Sequence, residues 1–225
     1  MRTASVNPRD TSASDGGTLA SALMAGKPAN AEFPGRRTQA EVLRGAVKGE
    51  PWAYSALYDA LYPIVARALQ KILHQTPDYE DLVQTSFELI VRTLQKPKGR
   101  EIENLAAWSS AIATRVALDA LRSRIRERRL FRRDDDSARA VHTVPSPNLE
   151  RELNVRSDIA WLQEALAEMN SEQAEAVLLH DVLGHDLSEI ARLTDVSEAA
   201  AQKRLSRGHL ELRRLAELRS KRRGQ

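Results

Sequence analysis

A chain of 225 residues with 34 Lys and Arg against 31 Asp and Glu, a net charge of +3 and no Cys has room for one large or two small domains and cannot form a disulfide. No apolar run approaches the roughly 20 residues that span a bilayer, and the start, MRTASVNPRDTSASDGG, lacks the apolar core of a secretory signal. No membrane insertion and a cytoplasmic location are therefore expected. The pI near 9.3 says little by itself, so the distribution of charge matters more. Eight Arg lie between Arg115 and Arg133 against only Asp119 and Glu127, and nine bases follow Ser197 against Glu198, Glu211 and Glu217. Two separate basic patches point to two contacts with a polyanion.

Residues 1–37 are rich in Ser, Ala, Gly, Pro and Thr without apolar periodicity and read as a disordered extension. Thr38 and Glu41 form a capping box that opens a short helix ending at Gly49. Pro51 suits the first turn of a longer helix carrying Leu57, Leu61, Val65, Leu69 and Ile72, which Pro63 should kink or restart. Asp78 and Asp81 make a further capping arrangement for a helix over 79–95. Its Val83, Phe87, Ile90 and Leu94 form a core stripe, and Asp81, Gln84 and Glu88 share another face. Taken alone, that second face is an ordinary solvated one.

After the basic loop 96–100, Leu105, Trp108, Ile112 and Val116 start another helix. Along it Arg115, Arg122, Arg126, Arg129 and Arg133 recur at spacings of 7, 4, 3 and 4, one stripe long enough to track a nucleic-acid backbone. The pattern stops from Asp134 to about Arg156, a linker that begins acidic. A second apolar set then runs from Ile159 to Leu179, with an N-cap expected at Ser171. In the stretch 186–209, DLSEIARLTDVSEAAAQKRLSRGH, Asp186 with Glu189 and then Ser197 mark two helix starts either side of a tight turn. Ala201 and Leu205 form the inner side of the second helix, while Gln202, Lys203, Arg204 and Arg207 line the outer. This is a helix-turn-helix pattern, or alternatively a helical hairpin with a solvated basic face. No strand pattern occurs, so the expected class is all-α, as two small helical domains. The five His, at 74, 142, 180, 185 and 209, are scattered; no metal, no other cofactor and no catalytic constellation is expected.

The order of parts over residues 38–219 resembles a bacterial sigma factor of the extracytoplasmic function (ECF, group IV) type in the sigma-70 family. YEDLVQTSFELIVRTL, 79–94, is similar to the region 2 helix of that family, AAWSSAIATRVALDALRSR, 106–124, to the segment that follows it, and EMNSEQAEAVLLHDVLGHDLSEIARLTDVSEAAAQKRLSRGHLEL to region 4. The resemblance implies region 2 over 38–133, a linker over 134–156, region 4 over 157–219 and a basic tail over 220–225. Its implied partners are core RNA polymerase, through the coiled coil of the largest subunit and the flap, promoter DNA, and, as a candidate, an anti-sigma factor.

By the same resemblance Asp78, Asp81, Gln84 and Glu88 would bind core polymerase. Lys98, Arg100, Asn104, Trp108, Arg115, Arg122 and Arg126 would handle the minus-10 element, although Ile112, four residues after Trp108, favours core packing for that indole. Ser197, Ala200, Gln202, Lys203, Arg204 and Arg207 would read the minus-35 element. Thr194-Asp195 stands where the family usually has Leu-Gly, and Ala199 to Gln202 replace a Gly-Thr-Val-Lys pattern, so an altered minus-35 preference is expected, with Gln202 suited to adenine. A helix-turn-helix regulator acting without polymerase would explain residues 186–209 and leave the 79–94 face unused. A helical adaptor with merely solubilising basic faces is the third reading.

Overall fold

Thr38 makes the reciprocal cap its spacing predicts: its Oγ1 accepts from the Glu41 amide at 3.3 Å and its own amide donates to Glu41 Oε2 at 2.7 Å. The helix it opens, α1 (Gln39–Val47), leads through Gly49, at φ +78°, into Pro51 at the first turn of α2 (Pro51–Leu73). In the computed structural model, residues 33, 37–74, 76–96, 102–131 and 147–223 are described; the side chains of Phe131, 147–153 and Arg223 are not. The N-terminal extension apart from Phe33 and Arg37, Lys98, Arg100, Arg133 and the acidic start of the linker thus lie outside the described residues.

Pro63 does not restart α2. It sits on an exposed side of a continuous helix, where water can satisfy the carbonyl that its missing N–H leaves. The cap expected from Asp78 is also absent. Its carboxylate accepts instead from Arg124, at 2.5 Å, and from the Thr76 hydroxyl, so α3 (Tyr79–Leu94) begins without a side-chain cap. A charged partner 46 residues away outcompetes a local amide because a charge-assisted bond is the stronger one.

The centre of the molecule is α4 (Leu105–Phe131). From Leu105 to Leu118 all but Trp108 and Arg115 are buried, including Ser109, Ser110 and Thr114, whose hydroxyls donate back to Ala106, Ala107 and Ser110 carbonyls at 2.8–3.0 Å. A helix buried all round needs neighbours on every side. It has α2 and α3 on one side, and on the other the helices that follow 147. Small side chains such as Ala107, Ala111, Ala113 and Ala117 let those neighbours close in.

The second set consists of α5 (Pro147–Glu168), α6 (Ser171–Val177), a π-helical turn over Leu178–Val182, α7 (Leu187–Thr194) and α8 (Glu198–Arg223). Helix α5 begins inside the span assigned to the linker. The cap of α6 is Asn170 rather than the expected Ser171: its Oδ1 accepts from the Glu172 and Gln173 amides at 3.0 and 3.4 Å. Asp195 takes the left-handed conformation, φ 57° and ψ 49°, that ends α7, and Ser197 Oγ accepts from the Ala200 amide at 3.2 Å to start α8. Gly208 lets α8 cross close to α6, since a Cβ there would stand 2.6 Å from Val177 Cγ2 and 3.1 Å from the Gln173 carbonyl oxygen. The described residues form helices and connecting turns, with no strand among them.

Candidate polymerase and nucleic-acid interfaces

Helix α3 shows two faces. Val83, Ser86, Ile90 and Leu94 are buried, while Asp81, Gln84 and Glu88 are exposed together, with Gln84 Nε2 donating to Glu88 Oε1 at 3.1 Å. Beside them Phe87 is only half-buried and stacks on Tyr58 of α2, ring centroids 4.6 Å apart; Tyr58 in turn lies 5.4 Å from Tyr62. Tyr58 is 46% exposed. An acid-and-amide face bordered by an accessible aromatic suits a protein contact. Tyr58 was not among the sequence candidates, because its partner comes from another helix. Asp78 lies at the start of α3, and there the Arg124 hydrogen bond, then that of Thr76, holds its carboxyl below the usual range.

Ser197, which caps α8, and Gln202, Lys203 and Arg207 along it are exposed and Ala200 is half-buried, while Ala201 and Leu205 are buried inward. Arg204 is half-buried and bonded to Glu172 at 2.9 Å. The exposed row is a short polar surface on a firmly seated helix, in the arrangement that presents side chains to base edges in a major groove.

The residues expected at the minus-10 element are disposed differently. Asn104 caps α4 by accepting from the Ala107 amide at 3.0 Å, and its Nδ2 donates to Glu189 Oε1 at 2.8 Å. Trp108 is half-buried and lines a cavity of about 310 Å³ between α4 and α7. Arg115 donates to Glu175 at 2.7 Å and to the Leu193 carbonyl at 3.2 Å. Arg122 donates to Ser171 Oγ at 2.7 Å and to the Met169 and Ala167 carbonyls at 3.3 and 3.4 Å. Arg126 is exposed.

Sequence pattern places the Arg groups on one face of α4; the structure turns Arg115 and Arg122 toward the second helical set and leaves Arg126 exposed. Glu189 is part of this seam. Expected to close a capping box with Asp186, it makes only one half of it: the Glu189 amide donates to Asp186 Oδ1 at 2.9 Å, and the Glu189 carboxylate goes to Asn104 and to His185 Nδ1, at 2.9 Å. His185 Nε2 is 3.0 Å from Ser110 Oγ, and Ser110, His185 and Glu189 are all 2% exposed or less. Other side chains cap helix ends across the seam: Gln163 donates to the Ile72 and Leu73 carbonyls that close α2, and Lys71 to Val182. Burial, followed by the charge of Arg67, lowers the Lys71 pKa.

Sequence comparison agrees with this division. Residues 57–127 match the Sigma-70 region 2 family model and residues 159–222 that of Sigma-70, region 4. The chain is 30% identical over 168 residues to the RNA polymerase sigma factor CarQ of Myxococcus xanthus, covering 72% of this chain and 88% of CarQ. It belongs to the sigma-70 family, as an ECF sigma factor. The ECF RNA polymerase sigma factor SigM of Mycobacterium tuberculosis is 26% identical over 193 residues, covering 81% of this chain and 88% of SigM. A solved structure of CnrH in complex with the cytosolic domain of CnrY aligns at a TM-score of 0.46 and 18% identity, over 79% of this chain and 96% of that one.

As a sigma factor the chain binds RNA polymerase and directs promoter-specific initiation of transcription. The region 2 match runs from within α2 through α3 to near the end of α4, and the region 4 match from within α5 to near the end of α8. Among the described residues no helix is long and apolar enough to cross a membrane.

Proposed function

We propose that the exposed face of α3, with Asp81, Gln84 and Glu88 at its centre and Tyr58 at its edge, is the surface that docks on the coiled coil of the polymerase's largest subunit. Region 4 seats on the flap, and the exposed row of α8 reads the minus-35 element. In that reading Gln202 meets a base edge, Lys203, Arg204 and Arg207 take phosphates, and Ser197 and Ala200 set how closely the helix start approaches. Lys98, Arg100 and Asn104 hold an unstacked minus-10 base and its phosphate, Trp108 borders that site, and Arg115, Arg122 and Arg126 follow the backbone upstream. Asp78 acts indirectly, by orienting the start of α3 through Arg124.

Holding one stacked base recovers about 1–3 kcal/mol, which offsets the few kcal/mol needed to open a duplex step, so melting needs no hydrolysis. The chain supplies positioning; bond formation belongs to the polymerase. It works in the cytoplasm, where an anti-sigma partner would compete for the same surfaces. The observation that carries the reading is the pairing, in one chain, of the exposed α3 acid-and-amide face with a well-capped helix-turn-helix. A regulator acting alone would have no use for the first.

The test is reconstitution with core polymerase on a promoter library, reading run-off transcripts. Transcripts from a defined subset of promoters are expected. The absence of both transcript and core complex would sink the reading.

A further inference from the structure

We infer that α1 and the start of α2 hold both ends of the segment that reads the minus-10 element, with Gln39 and Tyr54 as positioning residues for base discrimination there. The inference rests on the assignment of Lys98, Arg100 and Asn104 to that element. Gln39 Nε2 donates to the Ile102 carbonyl at 2.9 Å, across 63 residues of sequence, and Gln95 Nε2 donates to the Tyr54 hydroxyl at 2.9 Å, across 41. Gln95 follows directly on α3 and Ile102 lies three residues before α4, so the two bonds bracket residues 96–101. Gln39 and Tyr54 both precede residue 57, where the region 2 match begins.

The pair of helices that carries them is a firm support. The box of Thr38 and Glu41 fixes the first turn of α1, with Gln39 as its first residue. Val42, Gly45 and Ala46 are buried, and α1 and α2 come so close that a Cβ on Gly45 would stand 2.7 Å from the Trp52 ring. The Arg37 guanidinium lies 4.0 Å from the centre of that ring. None of this capping and packing uses the Gln39 amide, which reaches out to a carbonyl of another part of the chain instead. Beyond Ile102 the backbone is fixed again, because Asn104 caps α4 by accepting from the Ala107 amide at 3.0 Å.

What two such anchors give is aim. A hydrogen bond to a base edge weakens steeply as its angle falls toward about 120°, so its value depends on where the backbone behind it stands. Attraction between a basic side chain and a phosphate has no such requirement, and phosphate charge supplies most of the affinity. Freeing either end of the segment should therefore lower discrimination between bases at the minus-10 element while leaving overall promoter affinity nearly unchanged. Gln95 is exposed and Gln39 and Tyr54 are half-buried, so each bond is modest alone and the loss of both is the decisive case.

The experiment uses holoenzyme reconstituted from the full chain and core polymerase, on a promoter selected from the library by wild type and on its derivatives with single minus-10 or minus-35 substitutions. Gln39→Met keeps the side-chain length and loses the donor, Tyr54→Phe loses only the hydroxyl, and Gln39→Lys restores a donor. Q39M and Y54F should each lower minus-10 discrimination, and the double variant Q39M/Y54F should lower it by about 10-fold, within the worth of one base contact. Minus-35 discrimination and core affinity should not change, and Q39K should keep most of the minus-10 discrimination. Unchanged minus-10 discrimination in Q39M/Y54F, an equal loss at both elements, or weakened core binding in both single variants would overturn the inference. The pair K98A/N104A separates this result from the assignment beneath it. Minus-10 discrimination that survives K98A/N104A counts against that assignment, while discrimination lost there and kept in Q39M/Y54F counts against the two anchors alone.

Discussion

Asn104 and Glu189 stand 85 residues apart in sequence and 2.8 Å apart in space, one hydrogen bond that ties the start of α4 to the first helix of the helix-turn-helix. Glu189→Ala strands a buried donor on His185 and removes the acceptor of Asn104. A loss of about 2 kcal/mol is expected, within the range for orphaned buried polar groups. Urea denaturation of the single variants and of the N104A/E189A pair measures it. A coupling energy near zero would show that the bond adds nothing.

Asp78 is the residue whose charge should show in acid. Its folded pKa is depressed from the ordinary value of 3.8, through Arg124 first and Thr76 second, so its contribution is present above 3.8 and lost as pH falls through the lower folded value. With 42% of the side chain exposed, screening limits this to about 1 kcal/mol or less. The difference in stability between wild type and Asp78→Asn should be flat from pH 5 to 7 and shrink below about pH 4. A difference that grows on acidification would contradict the pairing.

Gly208→Ala tests the crossing of α6 and α8. Val177 can rotate away from the added methyl, but the Gln173 carbonyl, 3.1 Å from that Cβ, belongs to the helix backbone. Overpacking should cost about 1–3 kcal/mol, read as a lowered melting temperature. An unchanged melting temperature would mean that the two helices part freely.

Asp81→Arg reverses charge on the exposed α3 face without touching the core. Core polymerase affinity should fall at least 10-fold, and binding of duplex minus-35 DNA should be unchanged. Equal loss of both activities would count against the assignment of this face to polymerase.

On the recognition helix two substitutions should behave differently. Gln202→Ala removes a base-reading group and should relax discrimination at one minus-35 position by about 1–3 kcal/mol. Arg207→Ala should weaken all sequences alike and reduce the slope of log K against log salt by about 1. Selection from a randomised minus-35 library, repeated at several salt concentrations, distinguishes the two; a specificity change from Arg207→Ala would reverse their roles.

What the sequence by itself determined was local. Thr38 with Glu41, Pro51, Ser197 and the Asp195 turn act within one helical turn, so residues and spacing suffice to place them, and apolar periodicity names the inner face of each helix. The acid-and-amide face of α3 and the basic face of α8 were legible for the same reason. What a face meets was left to the tertiary structure. Asp78 and Glu189 are suitable capping residues that give their carboxylates to Arg124, and to Asn104 and His185, because stronger or more deeply buried partners arrive from 46 and 85 residues away and, for His185, from the preceding turn. The Arg stripe of α4 was visible as a stripe, yet only folding decided that Arg115 and Arg122 lie on Glu175, Ser171 and the ends of neighbouring helices. The small residues that dominate Ala106 to Ala117, broken mainly by Trp108, Ile112 and Arg115, were the one sequence sign of it, since a helix without a broad polar face over those turns has to be enclosed on both sides.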